Sequence, residues 1–173
     1  MSTSSLIINL IASLESLYVK EFRGLQHLLN LTKEERVALT VFDHEKLVAL
    51  IEHKETLIDE LGCLESKREG LILDLVKATG ADYTQGKLPE ILAPLDPSAT
   101  RHVTHLQEGI TVLAGKIREL TPGNQALAAA AMERLDATQT FLLNLFQPPA
   151  GYHPAYVTPA LQPAVTFDLD HQA

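Results

Sequence analysis

Leu47 to Leu75 reads LVALIEHKETLIDELGCLESKREGLILDL, and its spacing decides the fold. Alternating steps of three and four pick out Leu47, Leu50, Lys54, Leu57, Leu61, Leu64, Arg68, Leu71 and Leu75. Seven of these nine are Leu, and the two exceptions are cations fourteen residues apart. Such a spacing traces one face of an α-helix, and a narrow leucine seam of this kind packs on another helix. Upstream the same alternation runs Ile7, Leu10, Leu14, Leu17, Glu21, Gly24, Leu28, Leu31, Glu35, Ala38 and Phe42. Its charged intruders are two anions, also fourteen apart.

No proline occurs before Pro89, so neither seam is interrupted by a lost backbone donor. Ser4 or Ser5 can cap a helix over about 6–40, and Asp43 can cap a second over about 43–79, with Gly80 as a left-handed stop. Each would be ~50 Å long at 1.5 Å per residue. The few residues between them leave room only for a tight turn, which makes an antiparallel hairpin. Facing residues of such a hairpin have a constant sum of positions. Glu35 with Lys54 sums to 89, and so does Glu21 with Arg68. The implied midpoint, between His44 and Glu45, lies beside the turn that capping places independently. Two ion pairs across the seam would fix its register, a well-attested use of polar groups in such packing. The competing reading is that these long side chains run out to the edge of the seam and the matched sums are chance.

From Gly80 to Arg101 the texture changes, with Gly80, Gly86, Pro89, Pro94 and Pro97 marking a connector that holds at most one helical turn at Leu88 to Ala93. Asp96-Pro97 signals a helix start. Val103, Leu106, Ile110, Leu113, Ile117 and Leu120 then alternate threes and fours, and Asn124, Leu127, Ala131, Arg134, Thr138, Phe141 and Leu145 continue in the same phase. A loop at Pro122-Gly123 would keep that phase only by coincidence. One long helix over about 98–146, kinked at Pro122, is therefore favoured over two helices broken there. After Phe146 come five of the nine prolines, so 147–173 is expected to be a flexible Pro-rich tail carrying Tyr152, Tyr156 and Phe167. The expected fold is all-α and bundle-like: a long hairpin, a long third helix, and that tail.

Beside its seam the last helix has a second stripe, Ala128, Met132, Leu135, Gln139, Leu142 and Phe146. Two neighbouring stripes make a face wider than one partner helix needs, and Met among small alanines gives an adaptable surface. Three fates stay open for it: binding of a foreign helix, burial in the chain's own core, or self-association. The tail aromatics, Tyr156 among them, are candidate anchors that would order on meeting a partner.

Composition narrows the function. Net charge is -8, with 13 acids against 9 bases up to Lys77 and 9 against 5 beyond it. Neither half carries the basic footprint of a nucleic-acid binder, and an anionic membrane would repel both. The apolar start, Leu6 to Leu14, is too short to span a bilayer and has no Lys or Arg before it, so a cytoplasmic protein is expected. Cys63 is the single cysteine, which excludes an internal disulfide and a cysteine-cluster zinc site. His102, His105 and Glu108 are spaced three apart, as metal ligands can be. The apolar Val103 and Leu106 lie between them, so edge positions in solvent are the plainer reading. No phosphate-cradling loop, nucleophile elbow or isolated acid–base pair is present in the sequence. No catalysis, cofactor or metal is expected.

The order Glu35, Leu39, Asp43, Leu47, Leu50, Lys54, the aliphatic cluster Leu57, Ile58 and Leu61, then Glu65 and Arg68, resembles the FlgN family of flagellar export chaperones. In that family a long hairpin is followed by an Asn-containing helix and a Tyr-containing tail; Asn124, Tyr156 and the closing Asp170 to Ala173 look like those elements. The likeness covers about 6–146 and departs from the family pattern at Pro122-Gly123. It implies a chaperone for hook–filament junction proteins of the FlgK and FlgL types, which holds their C-terminal helical segment. It also implies delivery to the cytoplasmic domain of the type III export gate, of the FlhA type, by a monomer or weak homodimer. The alternative from another class is a structural coiled-coil or adaptor protein that self-assembles through the same stripes.

Overall fold

The computed structural model describes residues 3–81 and 88–146. Four helices follow in order: α1 Thr3–Val41, α2 His44–Thr79, α3 Leu88–Leu92 and α4 Pro97–Phe146. Among the described residues there is no strand. The expected tail, with Tyr152, Tyr156 and Phe167, lies outside the described residues.

The turn between α1 and α2 is as tight as the capping residues require. Asp43 N–H donates to Ala38 O at 3.0 Å while Phe42 takes φ 58. This is the six-to-one closure of a helix end around a left-handed residue. A side chain in that conformation costs roughly 1–2 kcal/mol, and the cation of Arg134 stacks over the Phe42 ring at 5.6 Å, which offsets part of it. Asp43 then accepts from Lys46 N at 3.0 Å and starts α2. Gly80, at φ 66, closes α2 by donating to Val76 O at 2.8 Å. Asp96 caps α4 through Ser98 N and Ala99 N at 2.9 and 3.0 Å, with Pro97 as the first helical residue.

α4 runs unbroken through Pro122, as the continuous phase of its seam predicts. Pro122 removes the donor to the Arg118 carbonyl. The neighbouring Thr121 hydroxyl donates to Ile117 O at 2.8 Å.

Two rulers describe the packing. Across α1 and α2 the paired charges keep the sum of 89. Between α1 and α4 it is the difference that stays nearly constant: contacts join Glu15 with His102, Tyr18 with Gln107, Thr32 with Asn124 and Glu35 with Asn124, separations of 87, 89, 92 and 89. A constant difference means that α4 runs parallel to α1. Gly109 permits the approach, since a Cβ there would sit 2.6 Å from the Phe22 ring. The main core joins Ile11, Leu14 and Tyr18 of α1 with Ile72 and Leu75 of α2, the three buried residues of α3, and Ala99, Val103 and Leu106 of α4. A smaller core toward the turn holds only Leu31, Ala38 and Leu50.

By packing, the described residues divide into two units, one up to Leu135 and one from Asp136. In the second, every residue from Asp136 to Phe146 is exposed.

Candidate functional site

Two polar clusters sit inside the seams. In the first, Lys54 Nζ lies 2.8 Å from Glu35 Oε2, both side chains about four-fifths buried. The same oxygen accepts from Asn124 Nδ2 at 2.6 Å, and that amide also donates to Thr32 O at 2.8 Å. Asn124 is 4% exposed, so its position on α4 is tied to α1 and, through Glu35, to α2. The orientation of the amide follows from the carboxylate, which demands a donor. Asn124 Oδ1 is left buried without a partner among the described residues.

In the second cluster Arg68 Nε donates to Glu21 Oε1 at 2.9 Å, and the guanidinium stands 5.5 Å from the centroid of the Tyr18 ring. Gln107 of α4 donates to the Tyr18 hydroxyl at 2.8 Å. Burial lifts the Glu21 carboxyl above its ordinary range, and the hydrogen bond and charge of Arg68 recover only part of the loss. Desolvation thus outweighs attraction for the acid, the usual balance for a pair withdrawn from water. Burial likewise raises the Tyr18 hydroxyl, with the Arg68 charge opposing. Each cluster ties residues of α2 and α4 to α1.

The outer surface differs. On the second stripe of α4, Ala128 is half-buried, while Met132, Leu135, Leu142 and Phe146 are exposed. Around the latter two, Phe141, Leu143 and Leu145 are exposed as well, so the apolar surface spans a little more than half of the circumference of this helix end, with Thr140 and Asn144 on the rest. Contiguous exposed apolar surface of this kind is uncommon on a chain that stays alone in water. His102, weighed above as a metal ligand, lies 3.2 Å from Glu15 Oε1, while His105 and Glu108 are exposed. Among the described residues no helix is long and apolar enough to cross a membrane. Sequence reasoning left out one row, Val48 and Ile51 with Ile58, all exposed on α2. Its signal was available, since each follows a seam leucine by one residue.

The model of one protein family, described as FlgN protein, matches residues 1–158. The chain belongs to the FlgN family. It is thereby placed among flagellar export chaperones, proteins that bind flagellar junction proteins. No curated protein and no solved structure matches it. The all-α architecture accords with this membership: helices that hold one another by seams and pins, with an apolar helix end unspent on the core.

Proposed function

We propose that this FlgN-family chain is a cytoplasmic, non-enzymatic chaperone. It would hold the C-terminal helical segment of hook–filament junction proteins of the FlgK and FlgL types and carry them to the cytoplasmic domain of an FlhA-type export gate. The observation that carries this reading is the bare apolar end of α4, where Phe146 is 82% exposed and Phe141 and Leu145 are each 61% exposed. Fully burying a side chain of this size is worth about 1.5–3 kcal/mol. A few such anchors, less the cost of association, suffice for a reversible complex. An amphipathic helix laid against them is the recognition mode that suits the surface. The client-facing residues are Ala128, Met132, Leu135, Leu142 and Phe146, with Tyr156 of the tail as a further anchor.

Light scattering of the full chain, with and without a junction-protein C-terminal peptide, tests the reading. A monomer or weak dimer that takes up one peptide is expected. A stable oligomer indifferent to the peptide would favour the self-assembling coiled-coil alternative instead. Leu142→Asp should weaken peptide binding at least tenfold while helix content by circular dichroism stays unchanged.

A further inference from the structure

One side of the hairpin is not covered by α4. The hydrogen bonds of α4 to α1 go through Glu15, Tyr18, Thr32 and Glu35. Lys20, Arg23 and His27 fall outside that row, and they border an open groove whose described lining comes from α1 and α2 alone. The groove holds about 1010 Å³ and runs along α2 from Glu52 to Lys67, ~22 Å or about four helical turns at 1.5 Å per residue. Past Lys20 and Lys67 a second stretch continues it between Ser13, Ser16 and Gly70. Such a length, open along one side, suits a rod better than a small ligand enclosed on most of its surface. The floor is the edge of the seam, where Leu57, Leu61 and Leu64 are only half-buried. Gly24 lets Leu61 sink toward α1, since a Cβ there would sit 2.7 Å from Leu61 Cδ2.

Charge says what fits it. The α1 wall is cationic, with Lys20, Arg23 and His27; the α2 wall is acidic, with Glu52, Glu55, Asp59 and Glu60, Lys67 at its far end being the exception. All of these side chains are exposed. Among the described residues none of them forms an ion pair, whereas the seam charges beside them, Glu21 with Arg68 and Glu35 with Lys54, do. A helix flanked by one sign of charge would be attracted by one wall and repelled by the other, and like charges brought together are costly. Segment 147–173 has no Lys or Arg to offer the acidic wall. The last helix of a second copy is as poor, since 125–146 carries only Glu133, Arg134 and Asp136. We propose that the groove receives one amphipathic helix of another protein, its apolar ridge on the leucine floor, Asp or Glu along α1 and Lys or Arg along α2. The site shares no residue with the client-facing stripe of α4, and the proposal goes beyond the chaperone reading without resting on it.

Three synthetic helical peptides test it, identical in their Leu ridge: one with Glu on one flank and Lys on the other, one with Glu on both, one with Lys on both. Their binding to the full chain is followed by fluorescence anisotropy at low salt, where exposed charges are least screened. The two-sign peptide should bind at least tenfold more tightly than either of the others. Lys20→Glu with Arg23→Glu should move the preference to the all-Lys peptide with helix content unchanged. Cys63, the single cysteine, is exposed and lines this groove, so it reports where the peptide lies. Saturating two-sign peptide should slow its alkylation by iodoacetamide at least tenfold. Equal binding of the three peptides, or no binding, overturns the proposal. If the peptide binds but Cys63 keeps its full reactivity while Leu142→Asp abolishes binding, the helix sits on α4; the proposal then falls and the chaperone reading stands. A doubled mass without peptide, returned to a single chain by Lys20→Glu with Arg23→Glu, would make a second copy the occupant and overturns it too.

Discussion

The two ends of the hairpin are built to different plans. Near the start of α1, four helices contribute to one core, and Leu14, Leu75, Leu88, Leu92 and Val103 are almost wholly out of water. Near the turn only α1 and α2 share a core, of Leu31, Ala38 and Leu50. The first end can hold its geometry by close packing, because each large side chain has neighbours on every side. The second has too little to bury, and holds its geometry by the Glu35–Lys54–Asn124 hydrogen bonds. What it leaves bare is apolar: the α2 row, and Met132 and Leu135 of α4. The larger core and the exposed apolar surface thus fall at opposite ends.

The sharpest way to break this comparison is truncation in the two cores. Leu14→Ala or Leu92→Ala should cost about 2–5 kcal/mol in urea unfolding, since such sites cannot collapse around a cavity. Leu50→Ala should cost distinctly less, because the smaller core is open to rearrangement; equal losses would erase the distinction. Next in size is the inner pin. Glu35→Lys leaves two cations facing each other at a four-fifths-buried site, and a loss of about 1–3 kcal/mol is expected from an uncompensated, partly screened charge. Adding Lys54→Glu should recover only part of that loss. Asn124 Nδ2, held by Thr32 O, would then face an ammonium instead of a carboxylate. Complete recovery would show that the Asn124 contact contributes nothing.

Smaller still is the effect of the exposed end on folding. Leu142→Asp should move unfolding free energy by no more than about 0.5 kcal/mol, as expected of a surface change; a large loss would place that residue in a core.

The least effect is the pH dependence from Glu21. Its folded carboxyl is raised above the ordinary value of 4.5 by burial, so the folded state holds its proton to higher pH than the unfolded chain does. Its contribution is fully present below that ordinary value and is lost as pH rises through the raised one. Relative to Glu21→Gln, the native chain should therefore lose stability as pH climbs through that window. A gain over the same window would mean that Arg68 prevails over desolvation.

Much of this was legible in the sequence, for a physical reason. A hairpin has one geometric unknown, its register, and four charges in two seams overdetermine it. The separations of Glu35 from Lys54 and Glu21 from Arg68 could be read as sums before any coordinates. The caps at Asp43, Gly80 and Asp96 were equally plain, since they act on their own backbone, whereas α1 begins at Thr3 and takes in Ser4 and Ser5, expected as its cap. The placement of α4 was not. Periodicity assigns a face to each helix but not a neighbour to each face, so nothing announced that Asn124 would share an oxygen with Lys54 or that Gly109 would lie under Phe22. The apolar stripe of α4 was visible as a pattern, but its alternation is the same whether it is covered or bare. The α2 row was overlooked because Glu55 interrupts it and the neighbouring leucines dominate the stretch.

The paired rulers, one of sums and one of differences, carry a consequence for how chain lengths can drift. A residue inserted at Phe42 or Asp43 would slide all of α2 past α1 and set both acids against the wrong partners. One inserted between Ala81 and Leu88 would disturb neither ruler, because α4 finds its level from α1 and not from the length of chain that leads to it. Natural variants of this protein should therefore be strict in length at the hairpin bend and permissive ahead of the third segment.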